Sequence, residues 1–266
     1  MNKFYIQFFF FLLSVSVYMS NKTLATELSP RNDITPEPKS HYLVSEEIYE
    51  KNKHLLCTDP EEPINAEKFM KEAVEQFKYH AICLDGYEPI ERNPNSSVFY
   101  FKKRHEGHIV EKIEYRFHHP EMYNEVVNKS WNFDNAKFPN ASSVKRKITR
   151  VYNPNLVIMQ QRYKSWFGGR EKYFYALASK VQISENTTLV VMVSADINDH
   201  NPSKKKYENK IIKTTNVFKT DIDSEDDIRK GKLQKTFVNI AGYLIQKYNA
   251  FIDITFVGSI DGHSCI

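Results

Sequence analysis

A change of hydrophobic period near residue 86 constrains this chain more than any other feature. Before it, DPEEPINAEKFMKEAVEQFKYHAICLDGY spaces Phe69, Ala73, Val74, Phe77, Ala81 and Leu84 by three or four residues, which places them on one stripe of a helix. The Asp/Pro/Glu-rich start and the Asp85-Gly86 end bound a helix of about five turns. Beyond it the period falls to two. The runs SVFYFKKR, IVEKIEYRF, VKRKITRVY, LVIMQQRYKSW, KYFYALASKVQI, TTLVVMVSA, KIIKTTNVFKTDI, TFVNIAGYLIQKY and FIDITFVGSI make nine predicted strands between turn-like stretches such as HEGH, NPN, FGG and SEN. In the second run Ile113, Tyr115 and Phe117 alternate with Lys112, Glu114 and Arg116, so one face is buried and one is wet, as in antiparallel sheets. A further helix is expected at PEMYNEVVNKSW, where Pro120 suits a first turn and Met122, Val126 and Val127 form a stripe. The expected class is α+β: a long antiparallel meander with helices at its N-terminal end and in an early connection.

A sheet of that length twists and curls around something. Tyr173 to Leu177 and Leu189 to Val193 are apolar or aromatic on both parities, more than a half-buried sheet needs, so a covering helix or an apolar cavity is expected. Polar residues also fall at interior-looking positions: Gln160 and Arg162 after Leu156 and Ile158, and Arg146 and Arg150 around Ile148. A buried arginine is costly unless it is paired or bound to an anion such as phosphate. The other reading is that a bulge breaks the parity and the arginines lie on a solvent face.

Residues 1–25 read as a targeting segment, because Lys3 precedes an apolar run over 4–19 that is short for a membrane span and is expected to be removed on secretion. Residues 26–60, with three prolines in TLATELSPRNDITPEPKS, read as a flexible linker, and 61–266 as one domain. The net charge of +4 comes from dispersed basic residues, which argues against a nucleic-acid partner and permits transient encounters with anionic membranes. Cys57, Cys83 and Cys265 are odd in number, so internal pairing is incomplete; a Cys57–Cys83 bridge across the helix is left open.

Catalytic signatures are missing. His105 with His108, the His118-His119 pair and His263 lack carboxylate or cysteine companions at metal spacing. There is no HExxH, CxxC, GxSxG, P-loop or GxGxxG, and the acidic run TDIDSEDDIRKGK lacks the glycine and terminal glutamate of a calcium loop and reads as solvated. No catalytic residue, metal site or cofactor is expected; a binding module is.

The stretches WNFDNAKFPNASSVKRKITRVYNPNLVIMQQRYKSWFGGREKYFYALASKV, SADINDHNPSKKKYENKIIK, DIDSEDDIRKGKLQKTFVNIAGYLIQK and DITFVGSIDGHSCI closely resemble the fam-a proteins of rodent malaria parasites, which are similar to START lipid-transfer domains. The resemblance runs over roughly 62–266. It implies a START-like helix-grip fold, a curved antiparallel sheet around a hydrophobic tunnel. The family continues into a C-terminal lid helix, and nothing after FIDITFVGSIDGHSCI is long enough to form one, so that helix is expected to be missing. The implied function is non-enzymatic binding and transfer of a phospholipid, phosphatidylcholine above all, by a secreted monomer exported to the parasitophorous vacuole or host cell. The alternative is a secreted interaction or surface protein that kept the scaffold and lost its cargo. The resemblance puts Lys129 and Trp131 at the basic and aromatic headgroup places, Met159 where phosphatidylcholine carriers have a ring, and Arg170, Tyr173 and Tyr175 in the signature strand GREKYFYAL. Arg162 and Tyr243 complete the expected lipid-binding set.

Overall fold

The computed structural model describes residues 42–90, 97–133, 144–164, 169–203, 209, 211–212 and 218–261. Its helices are α1 (Ser45–Lys51), α2 (Glu61–Ile82), α3 (Tyr123–Trp131) and the single turn α4 (Asp226–Arg229). The strands are β1 (Glu88–Pro89), β2 (Val98–His105), β3 (His108–Phe117), β4 (Val144–Asn153), β5 (Leu156–Tyr163), β6 (Lys172–Ser184), β7 (Thr187–Val193), β8 (Asp196–Asn198), β9 (Lys219–Asp221), β10 (Gln234–Lys235), β11 (Val238–Lys247) and β12 (Ile252–Ile260). Ten of them form one sheet in the order β1-β2-β3-β12-β11-β7-β6-β5-β4, with the short β10 parallel to β6 and every other pair antiparallel; β8 and β9 pair separately. The molecule is therefore α+β, as its periodicity requires.

Eight of the nine predicted runs are long strands of this sheet. The ninth, KIIKTTNVFKTDI, yields only β9 among the described residues. The β2–β3 hairpin turns on Glu106 and Gly107, at φ 50° and 81°, and such paired positive angles give the tight turn that matches strand twist.

Helix α2 explains the doubly apolar strands. Its stripe of Ala66, Phe69, Met70, Ala73, Val74, Phe77 and Ala81 is buried in one cluster with Leu177 of β6, Leu189, Val191 and Val193 of β7, and Ile240 and Leu244 of β11. At 22 residues it is about 33 Å long and spans the sheet. Glu61 and Glu62 in the first turn suit the helix dipole, and Lys112 Nζ donates to the Cys83 carbonyl at 3.2 Å at the other end. We call the face under α2 the outer face. On the opposite, inner face, Met122, Tyr123, Val126 and Val127 of α3 and its flank pack on Ile113, Phe117, Ile245, Ile252, Ile254 and Phe256.

Two expectations are corrected. The proposed linker over 26–60 is structured in its described part: α1 buries Ile48 beside Trp131, Val157 and Met159, Glu47 accepts from the Val44 amide at 2.9 Å, and Leu56 bridges to Val151 of β4. Its proline-rich stretch stops before residue 42, and the apolar residues that follow have a core to join. The acidic run is solvated only in part: Ile222, Ser224 and Ile228 are buried and Glu225 and Asp227 bond to Arg162 of the sheet, while Asp223 and Asp226 stay exposed. Cys57 and Cys83 are free thiols; Cys265 lies outside the described residues.

Helix α2 approaches the sheet closely at Gly242. A Cβ there would collide with the Val190 carbonyl oxygen and come within 3.0 Å of the Phe77 ring. Gly242→Ala should therefore destabilise the fold by about 1–3 kcal/mol, read as a lower urea midpoint at unchanged slope. An unchanged midpoint would show that α2 does not seat there.

Candidate functional site

Strand alternation and one bulge distribute the polar residues between the two faces. The β4–β5 register slips between Ile148 and Arg150. Arg146 and Ile148, opposite Gln161 and Met159, thus point to the inner face, whereas Arg150 and Tyr152 point outward toward α2. Both readings of the interior-looking arginines hold, one for each side of the bulge.

On the outer face each arginine is paired. Arg150 Nη1 donates to both Glu62 oxygens at 2.7 and 3.0 Å, and the Tyr152 hydroxyl donates to the same carboxylate at 2.6 Å. Arg162 forms a two-pronged pair with Asp227 at 2.7 and 3.1 Å and reaches Glu225 at 3.0 Å. Gln160 bridges Glu225 and the Tyr175 hydroxyl at 2.9 and 2.6 Å, and the Tyr173 hydroxyl donates to buried Asp199 at 2.8 Å, which also accepts from Lys235. A cleft of about 420 Å³ opens here between Lys145, Lys147, Arg162 and α4, with Lys147 and Arg162 bound to the α4 carboxylates.

The inner face differs in kind. Trp131 is 1% exposed, packs edge-on to Phe133 at 5.1 Å, and shares a cluster with Met159, Tyr163, Phe174, Ala176, Ala178 and Ala241. Its indole N–H is buried with no hydrogen-bond acceptor among the described residues. Arg146 Nε donates to Gln161 Oε1 at 2.8 Å. Burial pushes the Arg146 guanidinium down and the Tyr243 hydroxyl up, each opposed by the other's field. Arg146 and Tyr243 keep accessible surface, as does Met192 on the central strand β7, whereas Val190 and Met159 on the same face keep none.

The eight residues expected from the sequence divide between these faces. Trp131, Met159 and Tyr243 meet on the inner face. Lys129, in the last turn of α3, is buried with its ammonium over the Tyr42 ring at 5.6 Å, and burial pushes it down to about 8 against the opposing field of Glu125. Arg162, Tyr173 and Tyr175 lie on the outer face within its own network, because they share the parity of Leu177 under α2. Arg170 is exposed in the turn before β6. The sequence marked Arg146 as interior-looking without placing it in the site, and Gln161 carried no signal of its own. Among the described residues no group of three or more His, Cys, Asp or Glu could hold a metal, and no helix is long and apolar enough to cross a membrane. His263 lies outside the described residues.

No family model matches the sequence. No curated protein matches it either. Solved structures similar to it include human STARD10 (10% identity, 72% of this chain and 67% of that one, TM-score 0.46), human StAR-related lipid transfer protein 5 (9%, 74% and 82%, 0.49) and the human StarD13 lipid transfer and protein localization domain (15%, 74% and 83%, 0.43).

The outer network carries a pH signature. Burial alone would raise the Glu225 carboxyl, but hydrogen bonds from Lys147 and Gln160 and the Lys147 charge outweigh it and lower it to about 2. A carboxyl lowered on folding stabilises the native state above its unfolded value of about 4.3, and that contribution is lost as pH falls toward 2. Glu225→Gln should flatten the fall in melting temperature across that window while changing little at neutral pH beyond a constant offset. An unaltered acid slope would show that Glu225 is not held by its partners.

Proposed function

We propose that this protein binds a glycerophospholipid on the inner face of its sheet and carries it between membranes without covalent chemistry. The carrying observation is the half-buried arginine. Arg146 keeps accessible surface beside the amide of Gln161, on the face that carries Trp131, Met159 and Phe174. A guanidinium there suits a phosphate, and the ligand's acyl chains would lie along the partly buried Met192, Val144 and Ile260. The buried indole N–H of Trp131 supports the reading, since a buried donor left unpaired costs about 1–3 kcal/mol and an ester or phosphate oxygen would satisfy it. Tyr243, which keeps accessible surface, also offers a ring to a quaternary ammonium, worth roughly 0.5–2 kcal/mol, which favours phosphatidylcholine. The expected targeting segment over 1–25 fits a secreted carrier.

Extraction and mass spectrometry of lipids bound to the purified protein test this. One phospholipid per chain is expected, lost in Arg146→Met, partly kept in Arg146→Lys, and kept in Tyr173→Phe, which alters only the outer face. A folded protein with no lipid, or Arg146→Met carrying as much as the parent, would overturn the carrier reading and leave an interaction module on the same scaffold.

A further inference from the structure

The antiparallel register brings several loops to one end of the sheet: the β2–β3 turn, the start of β4, the end of β5, the start of β6 and the approach to β10. Each presents an exposed cation: Arg104, Lys145, Lys164, Arg170 and Lys232. None of the five forms an ion pair among the described residues. Acidic residues nearby are largely committed, with Glu225 bound to Lys147 and Arg162, Asp227 to Arg162 at 2.7 Å and Asp226 to Lys230 at 2.7 Å. Glu106 and Glu171 remain on the same loops. The opposite end turns on Asn153, Asn155, Asn186 and Asn249 and, among the described residues, gathers no such group. Among the described residues, exposed cations without an ion pair are thus gathered at one end.

The geometry points to this basic end as the surface that docks on an anionic bilayer. The five cations sit on long stems at separate strand ends and turns spread across this end, which suits a diffuse layer of phosphate and carboxylate headgroups. Arg146, third residue of β4, lies at the same end, so a docked membrane would face the inner-face arginine. What docking accomplishes rests on the proposed lipid binding; the charge arrangement does not.

Vesicle flotation of the full chain tests it, with phosphatidylcholine vesicles and with phosphatidylcholine vesicles containing phosphatidylserine, at rising salt. Binding should require the anionic lipid and weaken with salt. Each basic residue contributes roughly fivefold to partition, so the triple variant Lys145→Glu/Lys164→Glu/Arg170→Glu should lose at least about a hundredfold. A control reversing Lys68 and Lys71 on the exposed side of α2 should lose far less. Unchanged melting and lipid content in the triple variant would assign its loss to docking rather than to folding or cargo. Equal binding to neutral vesicles, equal losses per reversed charge in the two variants, or binding to a duplex oligonucleotide in preference to the vesicles would overturn the assignment. If the parent carries no lipid yet binds anionic vesicles through this end, the carrier reading fails and this one stands.

Discussion

The packing of the α2 stripe on the middle of the sheet is the interaction on which the rest depends. Phe69, Phe77 and their neighbours remove the outer face of β6, β7 and β11 from water, and burying each large side chain is worth about 1.5–3 kcal/mol. The inner face is covered in part by α1 and α3, whose Ile48, Tyr123, Val126 and Trp131 form two further clusters with it. The close seat at Gly242 fixes where the helix lies.

The two faces use charge in opposite ways. Outside, every arginine meets a carboxylate: Arg150 ties β4 to α2 through Glu62, and Arg162 ties β5 to α4 through Asp227 and Glu225. Such half-buried pairs fix the relative placement of elements far apart in sequence more than they add stability. Inside, Arg146 is bonded to the uncharged Gln161 and faces aromatic rings.

The class, the α2 and α3 helices and eight strands were legible because their periodicities are long and uninterrupted. The site was legible only in part. Trp131, Met159 and Tyr243 belong together, but Tyr173 and Tyr175 could not be assigned a face from alternation, since β6 is apolar on both parities over its first half. Arg146 and Arg150 share a parity in sequence and part company only at the bulge between them, which pairing with β5 creates and no local pattern announces. Residues 45–56 were read with the proline-rich text before them, and only the presence of a core to bury Ile48 makes them ordered.

The sheet's margins have a consequence for assembly. A row of unsatisfied amides and carbonyls on an outermost strand invites another chain to add itself. On one margin β1 is two residues long and ends in Pro89, which has no amide hydrogen to offer. On the other, the Cys57 amide donates to the Val151 carbonyl at 2.9 Å beside the Leu56 bridge, and the outer stretch of β4 carries Lys145 and Lys147. Neither border offers a long, flat, uncharged ladder, so a sheet of this size is protected against edge-to-edge aggregation by the devices at its two ends.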